Sequence, residues 1–367
     1  MAQALRRIIQ TLSLLLILML PLLGLAAALY QAYGPHGGHL AWVAGGRGHW
    51  LLHGALEKLS ELGFEPSALP ESFTGTLWSL RLFGLELADP LAALSFSLSA
   101  GEIYTPLLAA VLIPLGLAFL MGRAFCGWAC PVNTLGELAH GLRARLEGRG
   151  LLRAYDFSFS RSNKYFLLLA GLTATFLSGY SLIHLLLPYL ALGRGVYLYV
   201  FFGSLSVALA LPLGILLFEF FISRRGWCRY FCPAGGLLAL IGRVSLLRVE
   251  GKENMSCPPS CVSCLESCGM GLNPRAERLW PECHFCLRCI SSCPKSLIGV
   301  RVAPIGRTAL GAFVILLVIF FSFSLARAHH IMGLPHYGYA DNYPQVPSKE
   351  HVLREGPYTV YAVCFFF

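Results

Sequence analysis

RAFCGWACPVNTLGEL, residues 123–138, and RGWCRYFCPAGGLLAL, residues 225–240, are two copies of one pattern. Each has an arginine three residues before its first cysteine (Arg123, Arg225), a CxxxCP core (Cys126 with Cys130, Cys228 with Cys232), and leucines four and seven residues after the proline. Each follows a long apolar run that is read as a helix crossing in the same direction. Two copies of like direction imply a parallel repeat about an axis along the membrane normal, which brings both cysteine pairs to one side. The duplicated core is expected to span 104–249.

Working outward, five runs are long and apolar enough to cross roughly 30 Å of hydrocarbon: about 8–29, 104–121, 164–187, 196–222 and 307–326. In lipid every backbone polar group must bond internally, so all five are expected to be helices. Hydrophobic residues make up 56% of the chain and charged residues only 13%, against about a quarter charged in a soluble protein. The fold class expected is therefore an all-α integral membrane protein with about five transmembrane helices. Residues 1–30 read as an N-terminal anchor, because the apolar span after Arg6 and Arg7 exceeds that of a signal peptide. A signal peptide cleaved near Ala26–Ala28 is the alternative.

Charge sets the orientation. The segment between the second and third runs carries Arg123, Arg143, Arg145, Arg149, Arg153, Arg161 and Lys164 against Glu137, Glu147 and Asp156. Such an excess marks the cytoplasmic side. Residues 31–103, rich in acids, are expected as an external loop region, 304–327 as a fifth helix, and 328–367 as an external tail. The location expected is the bacterial inner membrane, multi-pass, with the N-terminus inside. The net charge of +9 lies in short clusters beside apolar runs, without a basic helix or aromatic platform, so no nucleic-acid partner is expected.

Twelve of the thirteen cysteines fall into four tight groups, and Cys364 stands alone. In CHFCLRCISSCP (283–294), Cys283, Cys286, Cys289 and Cys293 have the CxxCxxCxxxCP spacing of bacterial ferredoxins, in which three thiolates of a tight loop cap one [4Fe–4S] cubane. A zinc site would call for two knuckles separated by a longer spacer. CPPSCVSCLESC (257–268) supplies Cys257, Cys261, Cys264 and Cys268, with its first gap widened by one residue. In two-cluster units the fourth cysteine of each run serves the other cluster. The expectation is one cluster on Cys257, Cys261, Cys264 and Cys293, and another on Cys283, Cys286, Cys289 and Cys268. Together they form an inserted cytoplasmic two-cluster segment at 250–303. His284 is expected to be a solvated loop residue.

The CxxxCP pairs leave three readings open. Cys126, Cys130, Cys228 and Cys232 can hold a third iron–sulfur or other metal centre, act as redox dithiols, or serve as small buried residues. Arg123 and Arg225 would stabilise thiolates, or else snorkel to the interface. His36, His39, His49, His53, His329, His330, His336 and His351 all fall outside by this topology and are expected to be a solvated set, the alternative being proton acceptance from a quinol or metal binding at the outer face. His184, near the outer end of an apolar helix, is the candidate quinol-site residue, because polar groups at membrane depth are often functional.

The order TLWSLRLFGLELADPLAAL (76–94), GRAFCGWACPVN (122–133), SRRGWCRYFCPAGGLLALIGRVSLLRV (223–249), then paired ferredoxin motifs, resembles the NapH-type polyferredoxin membrane quinol dehydrogenases, which also include the carboxy-terminal half of NosR. The resemblance covers about 75–300. It implies oxidation of a membrane quinol and delivery of electrons to another redox protein or reductase complex, with clusters facing the cytoplasm. The widened first gap, the fifth helix and the tail depart from that pattern. The tail ends in YTVYAVCFFF (358–367), an alternating run that reads as a β-strand. The fifth helix and tail also resemble the CcoG/FixG relatives, which implies the alternative of an assembly or maturation factor for a respiratory metalloenzyme, with metal reduction as one form of that role.

Overall fold

The computed structural model describes residues 2–33, 73–76, 79–82, 85–100, 105–152, 155–202, 207–252, 257–258, 261–275 and 280–302, with isolated positions between 54 and 58. The fifth apolar run, the tail with Cys364 and the eight histidines assigned outside lie beyond these residues.

The duplication is longer than its cysteine segments. Copy one runs through α2 (Pro90–Ala100), α3 (Thr105–Met121), the short α4 (Ala124–Trp128) and α5 (Pro131–Gly148). Copy two repeats that order as α7 (Pro188–Phe202), α8 (Ala210–Phe221), a π-helical turn (Trp227–Phe231) and α9 (Pro233–Gly242). Pro90, Pro131, Pro188 and Pro233 each open a helix, where the missing N–H has no partner to lose and φ is already helical. Before copy one comes α1 (Ala2–Tyr33), and α6 (Asn163–Ser178) joins the copies. Its end is fixed by Gly179 at φ 70°, whose N–H bonds back to the Thr175 carbonyl.

The run 164–187 is thus a helix followed by a 3₁₀ turn, Leu182–Leu186, and the run 196–222 is divided between α7 and α8. Among the described residues one helical stretch, Ala2–Leu22, is long and apolar enough to cross a membrane. The other apolar helices are shorter.

The fold is mostly helical, which corrects the all-α expectation. An antiparallel sheet of β1 (Phe73–Thr76), β2 (Ser79–Leu82) and β3 (Leu85–Ala88) leads into α2. A second ladder pairs β4 (Leu247–Gly251) with β5 (Ile298–Val302), Leu247 opposite Val302 and Gly251 opposite Ile298. Branched residues at Val249, Ile298, Val300 and Val302 suit a pleated surface. The ladder draws together the two ends of the cysteine-rich segment.

Both copies feed one core. Leu91, Ala118 and Val132 from copy one pack with Leu187, Tyr189, Ile215, Ala234 and Leu238 from copy two, around Leu168 of α6. The outside is apolar as well: Leu5, Ile8, Leu12 and Leu15 of α1, Leu112 and Leu117 of α3, Phe166 and Leu169 of α6, and Leu213 and Leu217 of α8 are exposed. In the first half of α1 the buried residues are the polar Arg6, Gln10 and Ser13, and Ile17 and Leu20 continue that face. Over residues 5–15 that pattern is the reverse of a helix at a water surface.

Candidate iron–sulfur site

The four repeat cysteines meet. Cys130 lies within electrostatic reach of Cys126 and Cys232, and Cys228 of all three others. Burial is the main influence on each and pushes all four thiols up, Cys232 to about 11. A reactive dithiol needs a lowered pKa, so burial disfavours that reading, whereas ligation draws the proton off by the charge of the metal.

The repeat arginines brace the copies crosswise. Arg123 of copy one donates to the Cys228 carbonyl of copy two at 3.0 Å and pairs with Glu282 at 3.0 Å. Arg225 of copy two pairs with Glu137 of copy one at 2.8 Å. Both are buried, at 1% and 4% exposure, so neither snorkels. Lys164 and Tyr165 also bond to Glu282, which stands beside Cys283. Burial acts to raise the Glu282 carboxyl, but Arg123, Lys164 and Tyr165 outweigh it and hold the group below the usual range.

Glu137 is a second hub. Arg6 reaches it bidentately at 2.8 and 3.2 Å, Arg7 at 3.0 Å and Arg288 at 2.5 Å, in addition to Arg225. Burial alone would raise this carboxyl; the guanidiniums of Arg225, Arg288, Arg6 and Arg7 outweigh it and lower it. Of the four guanidiniums Arg6 and Arg225 are buried, Arg288 is partly buried and Arg7 is exposed, so the buried set around Glu137 carries a net positive charge, which favours an anionic group nearby.

The ferredoxin-type loop docks on the first CxxxCP turn. Trp128 donates its indole N–H to the Phe285 carbonyl at 2.9 Å, and the His284 carbonyl lies so close to Gly127 that a Cβ there would collide with it. From α1, Gln3 donates to the Cys286 carbonyl at 2.9 Å, Gln10 to Gly127 at 3.2 Å and Ser13 to Ala129 at 2.5 Å. Phe285 and Leu287 sit at φ 50° and 57°, conformations that non-glycine residues hold only where surroundings enforce them. His284 is 1% exposed and, among the described residues, neither ring nitrogen has a partner, contrary to the expectation of a solvated residue. Docking on Gly127 is the reason.

Around the eight motif cysteines, Cys268 lies within electrostatic reach of Cys283 and Cys289, and Cys293 packs beside Cys264 and Cys289. Arg275 feels Cys257, Cys261 and Cys264 together. Burial pushes Cys283 and Cys289 up to about 12, while the Leu297 N–H and its neighbours lower Cys293. Backbone N–H groups point at sulfur from Gly235 to Cys232, Leu272 to Cys268, Phe285 to Cys283 and Leu297 to Cys293, each at 3.4 Å. Such bonds tune an iron–sulfur centre. All twelve described cysteines are free. Among the described residues no three or more of His, Cys, Asp and Glu close on one point as a single metal ion requires. A cubane puts each thiolate on a different iron and asks for a looser set. The donor set, its N–H···S bonds and the surplus cationic charge fit an iron–sulfur cluster.

His184 lies in the 3₁₀ turn, bonded through its two nitrogens to Ser181 at 3.0 Å and Ser95 at 3.1 Å. Sequence reasoning missed a neighbouring pair. Asp89, just before α2, accepts a hydrogen bond from Tyr189, the second residue of α7. Both are buried, and Cys126 feels Asp89 while Cys130 and Cys232 are felt by Tyr189. The signal was present in the paired Pro90 and Pro188. The polar face of α1 was missed too, although Gln3, Arg6, Gln10 and Ser13 recur at helical spacing.

A family model described as a 4Fe-4S binding domain matches residues 104–150 and again 206–250, the cysteine-bearing part of each copy of the repeat. The chain is therefore a protein of the 4Fe-4S-binding, ferredoxin type. It is 35% identical over 197 residues to the methylamine utilization ferredoxin-type protein MauN of Methylorubrum extorquens, covering 53% of this chain and 64% of that one. It is 32% identical over 232 residues to the ferredoxin-type protein NapH of Haemophilus influenzae, covering 60% of this chain and 76% of that one. The putative electron transport protein YccM of Escherichia coli is 30% identical over 236 residues, with 61% and 65% covered. The chain belongs to the NapH-type ferredoxin family. It spans less than two thirds of the length of MauN and YccM. No solved structure matches it.

Proposed function

We propose that this chain is a multi-pass membrane protein of the bacterial inner membrane that oxidises quinol and passes electrons to a partner redox protein or reductase complex. The observation that carries the reading is the docking of the Cys283–Cys286 loop on the turn between Cys126 and Cys130, which makes the two cysteine regions one continuous site. Two [4Fe–4S] clusters would be held as the ferredoxin pattern assigns them, by Cys257, Cys261, Cys264 and Cys293, and by Cys283, Cys286, Cys289 and Cys268. A further centre would be held by Cys126, Cys130, Cys228 and Cys232. Iron–sulfur clusters supply one-electron acceptors at these positions.

The chain's own residues supply the rest. The exposed apolar surfaces of α1, α3, α6 and α8, against buried Arg6, Gln10 and Ser13, support a lipid-facing exterior. The excess of Lys and Arg between α3 and α6 supports a cytoplasmic position for the clusters. Asp89 and Tyr189, or His184 with its two serines, are groups able to take a hydrogen bond or proton from a quinol hydroxyl.

The test is EPR spectroscopy on the purified protein after addition of a menaquinol or ubiquinol analogue. Reduced-cluster signals are expected; clusters that form but stay oxidised with both would sink the quinol reading. Cys126→Ala with Cys228→Ala is expected to lower total iron relative to the parent. Unchanged iron removes the further centre.

A further inference from the structure

His284 is a buried histidine at the edge of the ferredoxin-type loop. Its imidazole is 1% exposed, and neither ring nitrogen has a hydrogen-bond partner among the described residues. Leaving a buried donor or acceptor unmade costs about 1–3 kcal/mol. The charged groups around it are the cations of Arg123, Arg225, Lys164 and Arg6, and in every tautomer the ring has at least one N–H to give. Those neighbours offer it only donors. The residue stands between Cys283 and Cys286, and its carbonyl is pressed against Gly127, between Cys126 and Cys130. It therefore occupies the seam between the two cysteine regions.

We infer that His284 is a positioning residue whose ring N–H hydrogen-bonds a sulfur atom of the iron–sulfur centre bound at this seam, tuning its reduction potential. The inference rests on the cluster reading above. An N–H aimed at sulfur favours the more negative, reduced state, as hydrogen bonds to cluster sulfurs do in general. Partnering by sulfur also accounts for the absence of a protein acceptor. Ligation is not required, since four thiolates already stand on each side.

The experiment is hyperfine EPR spectroscopy on the full chain, purified with its clusters, reduced with dithionite and grown with isotopically labelled histidine. A weak histidine-nitrogen coupling is expected in a reduced centre, and it should vanish in His284→Ala. The midpoint potential of that centre should fall in His284→Ala and fall less in His284→Gln, with iron content retained. Cluster signals without any histidine coupling overturn the inference while leaving the cluster reading intact, as do unchanged potentials in both variants. Should His284→Ala lose iron, the labelled parent decides alone. Absence of any cluster signal in the parent defeats the cluster reading itself, and this inference with it.

Discussion

Gly127 shows how one side chain's absence positions the whole site. A methyl group there meets the His284 carbonyl, which is backbone and cannot swing aside. Gly127→Ala is therefore expected to push the Cys283–Cys286 loop off the first CxxxCP turn, breaking the Trp128–Phe285 hydrogen bond. Overpacking of this kind costs about 1–3 kcal/mol. The measurement is thermal unfolding in detergent together with total iron; a variant with parental stability and parental iron content would show that the loop does not depend on this contact. From the sequence Gly127 was only a spacer, since nothing local marks a glycine that another segment approaches.

At the scale of elements, α1 and α5 depend on one carboxylate. Glu137 gathers Arg6 and Arg7 from α1, Arg225 from copy two and Arg288 from the ferredoxin-type segment. Its folded pKa is depressed, so its contribution is complete above the unfolded-chain value of about 4.3 and is lost as pH falls through the lower folded value. Unfolding followed from pH 7 downward should show a steep acid loss in the parent and a flatter one in Glu137→Gln. Removing one partner of a buried charge group costs about 3–5 kcal/mol, so the variant should already be less stable at pH 7. A parental pH slope in the variant would move the acid sensitivity to Glu282 or elsewhere. The periodicity of Gln3, Arg6, Gln10 and Ser13 was legible in advance, but their acceptors, over a hundred residues away, were not.

For the whole molecule, the duplication and the apolar exterior make a topology that can be probed from two sides. Leu151, 70% exposed after α5, belongs on the cytoplasmic side, and Val207, 88% exposed between α7 and α8, on the opposite one. Leu151→Cys should react with an impermeant thiol reagent in inverted vesicles and Val207→Cys in spheroplasts, each above the background of the parent chain. Labelling of both from the same side would break the proposed orientation.

The sequence by itself determined the cysteine spacings, the repeated CxxxCP pattern and the apolar runs, because these are local: a CxxxCP or CxxC gap or a hydrophobic stretch acts on residues within a few turns. It also carried enough to identify the NapH-type resemblance. Only the tertiary structure decided that Arg123 and Arg225 are exchanged between copies, and that α2 and α7 begin at the same buried Asp89–Tyr189 contact. It also buried His284. The physical reason is that buried polar groups must find partners wherever in the chain they occur, so their identities depend on packing between segments and not on spacing within one.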